Sequence, residues 1–367
     1  MSLHVAKKNL IGLTLEQIQL EVQNIPTAKK YTALQLWQQM YRHGNTSFQT
    51  MTNLSKPLRD HLHQYYRVDY GHVQLDQTSV DGTRKWLVGF NDPRAVVESV
   101  LIPELKRHTL CVSSQIGCSL RCSFCHTGTQ KLLRNLTAGE IVGQVMLAAH
   151  GVHQFDSPHI HNKKKALSHM VFMGQGEPLY NPRNVFQAIQ VLTDPQGLQW
   201  PKQKITVSTS GVVPLIPKIS ELGVSLAISL HATRNSLRDV LVPLNKTFSL
   251  ETLMDACMQY AKQSSGQRIT FEYVMLDGVN DSLGEARDLV KLLKQLPAHV
   301  NLIPFNPWPG SDYKTSKPEQ VEKFLETVQK GGVHCTIRRP RGQDILAACG
   351  QLRSSEERKK AALSASA

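Results

Sequence analysis

The chain has 367 residues, 41% of them hydrophobic, and a formal net charge of +13 at neutral pH. That length supports a large core plus a smaller accessory part, and no apolar run reaches the roughly 18 residues of a membrane span. The basic excess favours a polyanionic partner, most often nucleic acid, with plain solubility as the bland alternative. Seven cysteines, an odd number with no signal-type apolar block ahead of them, argue against a disulfide scaffold. They fit metal or catalytic roles in a reducing cytoplasm. Glu16 and Glu21 count against an organelle-targeting segment.

In chain order, the first stretch reads as helical to about Tyr66. Leu15, Ile18, Leu20 and Val22, then Leu34, Leu36, Trp37 and Met40, recur at helical spacing, and Ser55 to Tyr66 suits a third helix. The pattern then changes: Trp86–Phe90 and Ala95–Ile102 read as strands around a turn at Asn91-Asp-Pro93. A long alternation follows. Strand-like runs fall at Thr109–Ser113, His169–Met173, Lys204–Ser208, Val224–Leu230, Ile269–Leu276, Val300–Pro304 and Val333–Ile337. Thr137-Ala-Gly-Glu140 and Ser282-Leu-Gly-Glu285 are capping-box starts, and Pro318 opens a helix through about Gln329. Strands alternating with helices imply βαβ units, and about six of them predict a parallel barrel or partial barrel, with chemistry at the carboxyl ends of the strands. His150 to Leu167, with Lys163-Lys-Lys165, reads as a mobile segment, and the tail from Arg353 as disordered.

Cys118, Cys122 and Cys125 follow the first strand of the alternation as C-x₃-C-x₂-C. The bland reading is structural zinc with a distant fourth ligand. Zinc sites usually pair two C-x₂-C units or add H-x₃₋₅-H, and here there is one C-x₂-C, with His126 poorly placed to join it. The spacing favours an iron–sulfur cluster with one iron left open. Met173-Gly-Gln-Gly-Glu-Pro-Leu179 closes the second strand. It lacks the third glycine of a dinucleotide loop, and two glycines beside a carboxylate suit close approach to a ligand carrying an ammonium. Ser208-Thr-Ser-Gly211, Ser229-Leu-His231 and Asn306-Pro307 are further polar strand exits; singly each is ordinary, together they outline a pocket. Near the end, Cys349 lies between an arginine cluster and Gly350, a flexible, basic surround suited to a reactive thiolate, although a lone cysteine is more often inert.

The cysteine run after the first βα strand resembles the signature of the radical S-adenosylmethionine (SAM) enzymes. In these, three cysteines hold a [4Fe–4S] cluster and SAM chelates the open iron. "GEPL" resembles their glycine–glutamate motif. The resemblance implies that Gly176 and Glu177 contact the methionine end of SAM, and that Ser208, Ser229, Leu230, His231 and Asn306 line it. Gly342-Gln-Asp-Ile-Leu-Ala-Ala-Cys-Gly-Gln-Leu352 further resembles the ending of the RlmN/Cfr family of radical SAM RNA methyltransferases, and the likeness spans nearly the whole chain. It implies a radical SAM partial (β/α)6 barrel over 104–352 with a C-terminal methyl-carrier cysteine loop. An N-terminal helical RNA-binding domain (1–66), a small β extension (67–103) and a disordered tail (353–367) complete the expected organisation.

The implied activity is methylation of C2 of adenosine in large-subunit rRNA and in tRNA just 3′ of the anticodon. Cys349 becomes an S-methylcysteine, a protein–RNA thioether forms, Glu98 accepts the C2 proton, and Cys111 resolves the adduct as a disulfide. Nothing local distinguishes Glu98 from a solvent-facing strand glutamate. Implied partners are the two RNAs and an electron donor such as flavodoxin, with the chain a monomer away from membranes. Lys163–Lys165, Arg338, Arg339 and Arg341 are candidate phosphate contacts. Gln175 stands where the family usually has methionine, and a local packing change is the expected consequence. The rival readings are a Cfr-like C8 adenosine methyltransferase and a non-catalytic Fe–S or zinc RNA-binding protein.

Overall fold

The strand-forming runs assemble into one ten-stranded sheet whose spatial order follows the chain. The computed structural model describes residues 7–94, 96–104, 107–155 and 167–354. Strands β1 (His72–Thr78), β2 (Arg84–Gly89), β3 (Val96–Glu104) and β4 (Arg107–Cys111) form an antiparallel meander. From β4 onward the pairing is parallel, through β5 (His169–Phe172), β6 (Ile205–Thr209), β7 (Ser225–Ser229), β8 (Ile269–Met275), β9 (Ala298–Pro304) and β10 (His334–Ile337). Edge strands β1 and β10 do not pair, so the sheet stays open. Each expected strand of the alternation is present within two residues of its predicted ends. Strand β1 escaped the sequence reading. It is a mostly exposed edge with little apolar alternation, and pairing to β2 is what orders it.

Helices carry the parallel connections: α4 (Ala138–Gly151), α5 (Pro182–Thr193), α6 (Ile216–Leu222), α7 (Asn235–Leu241), α8 (Leu250–Gln263), α9 (Leu283–Leu293) and α10 (Pro318–Lys330). The capping signals act as read. Thr137 and Glu140 form both halves of a capping box, and the Ser282 hydroxyl accepts from the Glu285 amide.

Ahead of the sheet lie α1 (Leu15–Val22), α2 (Thr32–Tyr41) and α3 (Lys56–Tyr65). They bury Ile18, Leu36, Trp37, Met40 and Tyr41 in a core continuous with that of the sheet. Two glycines permit this close seating. Gly12 has φ +85°, and a Cβ there would lie 2.2 Å from the Gly139 amide nitrogen at the start of α4; a Cβ on Gly143 would lie 2.4 Å from the Tyr70 carbonyl oxygen. Farther along, Trp37 Nε1 donates to Asp194 Oδ1 at 3.2 Å. Among the described residues no helix is long and apolar enough to cross a membrane. Lys163–Lys165 and the tail from residue 355 lie outside the described residues.

Candidate active site

The loop after β4 presents the cysteines. Gly117 (φ +79°) and Arg121 (φ +54°) adopt left-handed backbone on either side of Cys118, and the Cys125 amide turns back onto the Cys122 carbonyl at 3.1 Å. The three thiols are free and line one cavity of about 160 Å³. Among the described residues no three His, Cys, Asp or Glu side chains converge on a single metal ion. The trio opens onto a shared cavity. Burial pushes the Cys118 thiol up to about 12, and Cys122 and Cys125 also rise, chiefly through desolvation. Three buried thiolates need a cationic partner, and an iron–sulfur core supplies one. The donor set therefore fits the group.

The strand exits supply the opposite wall. Gly176, Glu177, Ser208, Ser229 and His231 line the same cavity as the cysteines. Gly176 has φ +95°, and a Cβ there would lie 2.4 Å from Gln115 Cβ, so this turn requires glycine. Glu177 is buried; its Oε2 accepts from the Ser210 amide at 2.8 Å and its Oε1 from the Leu179 amide at 3.0 Å. Desolvation nonetheless raises its carboxyl to about 7. Such a carboxylate is ready to accept from an amino group. His231 is held at φ +61°, and its Nδ1 accepts from the Val274 amide at 3.0 Å. Burial first, then Arg238, depress its basicity to about 3, so the ring is neutral and its Nε2 is the donor. Leu230 packs in the hydrophobic core, with its amide and carbonyl engaged by Glu272 and Arg238.

A second cavity of about 620 Å³ adjoins the first; Cys125, Glu272, Arg338 and Cys349 line both, whereas Cys111 and Asn306 line the larger one. The segment carrying Cys349 is pinned on three sides, contrary to the expectation of a flexible surround. Its Asp344 accepts from Ser79 Oγ at 2.6 Å and from the Val80 amide at 3.2 Å. On the cluster side, the Gly350 carbonyl accepts from the His126 amide at 2.7 Å and the Leu352 carbonyl from Thr127 Oγ1 at 2.7 Å. At the exit of β9, Asn306 Nδ2 donates to the Cys349 carbonyl at 3.2 Å. His126 stacks on Trp308 at 4.6 Å between centroids, joining the cysteine loop to that exit. Its Nδ1 meets the Gln351 carbonyl at 3.1 Å, so the ring serves as a strut between loops. Cys111 is buried beside Val100, Ala347 and Leu352, and desolvation raises its thiol to about 12 while Arg338 opposes the rise.

The chain matches two family models: the radical SAM superfamily over residues 112–292, and the ribosomal RNA large subunit methyltransferase N-terminal domain over residues 8–68. It is 51% identical over 362 residues to the dual-specificity RNA methyltransferase RlmN of Rhodopseudomonas palustris (strain BisB5), covering 96% of this chain and 91% of that protein. The chain belongs to the RlmN family of radical SAM methyltransferases. RlmN of Chelativorans sp. (strain BNC1) is likewise 51% identical, over 97% of this chain and 91% of its own length. The crystal structure of a radical SAM methyltransferase from Sphaerobacter thermophilus superposes with a TM-score of 0.88 at 38% identity, covering 95% of this chain and 99% of that one. The open sheet is thus the radical SAM partial barrel. The cofactors of this RlmN-family enzyme are a [4Fe–4S] cluster and SAM.

Two sequence readings need correcting. The bland reading of Glu98 as solvent-facing fails: it is 1% exposed, with Oε1 3.1 Å from Lys85 Nζ, and it is absent from the lining of both cavities. Of the arginine cluster, Arg338 is half-buried and lines both cavities, Arg339 is exposed, and Arg341 lies 3.9 Å from Asp81. Gln175 does more than repack. Fully buried, its Oε1 accepts from the Glu98 amide at 3.2 Å, and its Nε2 donates to Ser354 Oγ at 3.2 Å and Gln130 Oε1 at 3.4 Å. The sequence reading also missed Glu272 and Arg238, since a strand glutamate and a helix arginine carry no local signal of burial.

Proposed function

We propose that this enzyme methylates C2 of adenosine in large-subunit rRNA and in tRNA, using Cys349 as the carbon carrier. The observation that carries the reading is the position of Cys349, on the seam between the cavity of the cysteine trio and the larger cavity that holds Cys111. A thiol there faces the space for a methyl donor on one side and the space for a base on the other.

Cys118, Cys122 and Cys125 hold the cluster. Gly176, Glu177, Ser208, Ser229, Leu230, Asn306 and the Nε2–H of His231 orient SAM, and the Asn306 amide also holds the loop of Cys349. Bound together, the cluster and SAM supply the methyl group and the one-electron chemistry that an unreactive aromatic carbon requires. Cys349 would accept the methyl carbon as a thiolate, with S-adenosylhomocysteine as the leaving group, and would carry that carbon in a thioether to the RNA. Cys111, in the same cavity, would attack the Cys349 sulfur, so that the carbon–sulfur bond breaks, the methylated base leaves and a disulfide remains; an external thiol resets the pair, and an electron donor such as flavodoxin serves the cluster. Glu98 takes the C2 proton in this scheme, which requires it to reach the base from its buried place beside Lys85. The target base leaves its stack to reach the cavity. The chain acts as a monomer, with residues 1–66 and Arg339 contributing to the RNA grip.

Nucleoside mass analysis of rRNA and tRNA from cells with and without the gene tests the reading. Loss of 2-methyladenosine is expected, and loss of the 8-methyl isomer instead sinks the C2 assignment. Cys349→Ala removes methyl transfer to the protein, whereas Cys111→Ala accumulates a protein–RNA adduct visible on denaturing gels. Free product in normal yield from Cys111→Ala contradicts its resolving role.

A further inference from the structure

Arg238 lies on α7 and is 1% exposed, one of the largest fully buried side chains of the protein. Its guanidinium collects the backbone of two strand exits. Nη2 donates to the Ser210 carbonyl at 2.7 Å and to the Ser229 carbonyl at 3.1 Å, and Nε donates to the Leu230 carbonyl at 3.0 Å. Nη1 donates to Asn245 Oδ1 at 3.0 Å, which fixes the fork from behind. Ser210 carries the link onward, because its own amide donates to Glu177 Oε2 at 2.8 Å. The same short helix reaches the cysteine loop: its Leu241 carbonyl accepts from the Ser123 amide at 3.2 Å, one residue after Cys122.

Burying a guanidinium is costly unless its donors are met. Here four directed bonds meet them, and three go to main-chain oxygens at the ends of β6 and β7. Lysine lacks the planar fork needed to hold both exits at once.

We propose that Arg238 is a positioning residue: its fork sets the SAM-facing exits of β6 and β7 and, through the Ser210 amide, the Glu177 carboxylate. This rests on the reading that those exits orient SAM.

The test uses the full chain, reconstituted anaerobically with iron and sulfide, in wild type, Arg238→Lys, Arg238→Gln and Glu177→Gln forms. Iron content, SAM affinity by calorimetry and the pH dependence of that affinity are measured for each. Both Arg238 variants load iron as the wild type does and bind SAM at least about tenfold more weakly, as loss of charge-assisted bonds implies. The pH below which their affinity falls moves upward, because the Ser210 amide no longer holds the Glu177 carboxylate. Wild-type SAM affinity in both Arg238 variants, or reduced affinity with an unshifted pH profile, while Glu177→Gln loses affinity, overturns the positioning role alone. Wild-type SAM affinity in Glu177→Gln overturns the reading that these exits orient SAM, and the proposal with it. If Arg238→Gln does not fold, Arg238→Lys decides: unchanged SAM affinity is fatal.

Discussion

Two buried side chains govern how the site answers to its environment. In the cofactor-free protein Glu177 holds a proton up to about pH 7, above its ordinary 4.5. With the folded pKa above the unfolded one, this group favours the fold at low pH and loses that contribution as pH rises from about 4.5 through about 7. SAM binding has the opposite slope, because its amino group needs the carboxylate as acceptor. SAM affinity should fall as pH is lowered through about 7, by up to roughly tenfold per unit, and Glu177→Gln should flatten the curve; calorimetry between pH 8 and 6 checks both. Gln175 is the second case. Replacing it with the family's usual methionine keeps the volume but strips the Glu98 amide and Ser354 of a partner. A loss of about 1–3 kcal/mol is expected by denaturant unfolding, the range for stranding buried polar groups. Glu177 is legible in the sequence through its Gly-Glu motif, whereas Gln175 shows there only as a single unusual letter.

At the level of elements, the α4 start is where accessory helices and barrel meet. The capping box of Thr137 and Glu140 orders its first turn, and Gly12 lies against that turn closely enough that a Cβ would meet the Gly139 backbone. Gly12→Ala adds both a clash with main chain and a side chain at φ +85°, so a cost of about 2 kcal/mol or more is expected in thermal unfolding. Gly266, also at positive φ but with nothing within 4 Å of where a Cβ would stand, isolates the backbone part: Gly266→Ala should cost only about 1 kcal/mol. Strand periodicity, capping residues and proline positions made most elements readable, because each is a local rule. Edge strand β1 has no such local signal, and only its partner defines it.

For the whole molecule, the +13 charge and the cavity mouth are read together. RNA affinity should fall steeply with salt, with a log–log slope proportional to the number of phosphates contacted, while SAM affinity stays nearly flat. Filter binding between 50 and 200 mM salt checks this. Arg339→Gln should reduce the slope by about one contact, whereas Arg338→Gln should leave it unchanged and act on Cys111 instead, since its guanidinium faces the thiols. The sequence by itself determined the alternation of strands and helices, the cysteine trio, the Gly-Glu exit and the family. Each is fixed by local spacing or by side-chain type. The tertiary structure alone decided that Glu98 lies against Lys85, that Arg338 and Cys349 line both cavities and that Arg238 ties two strand exits together. Those facts depend on which residues, 8 to more than 200 positions apart, share one desolvated space, and no short-range pattern encodes that.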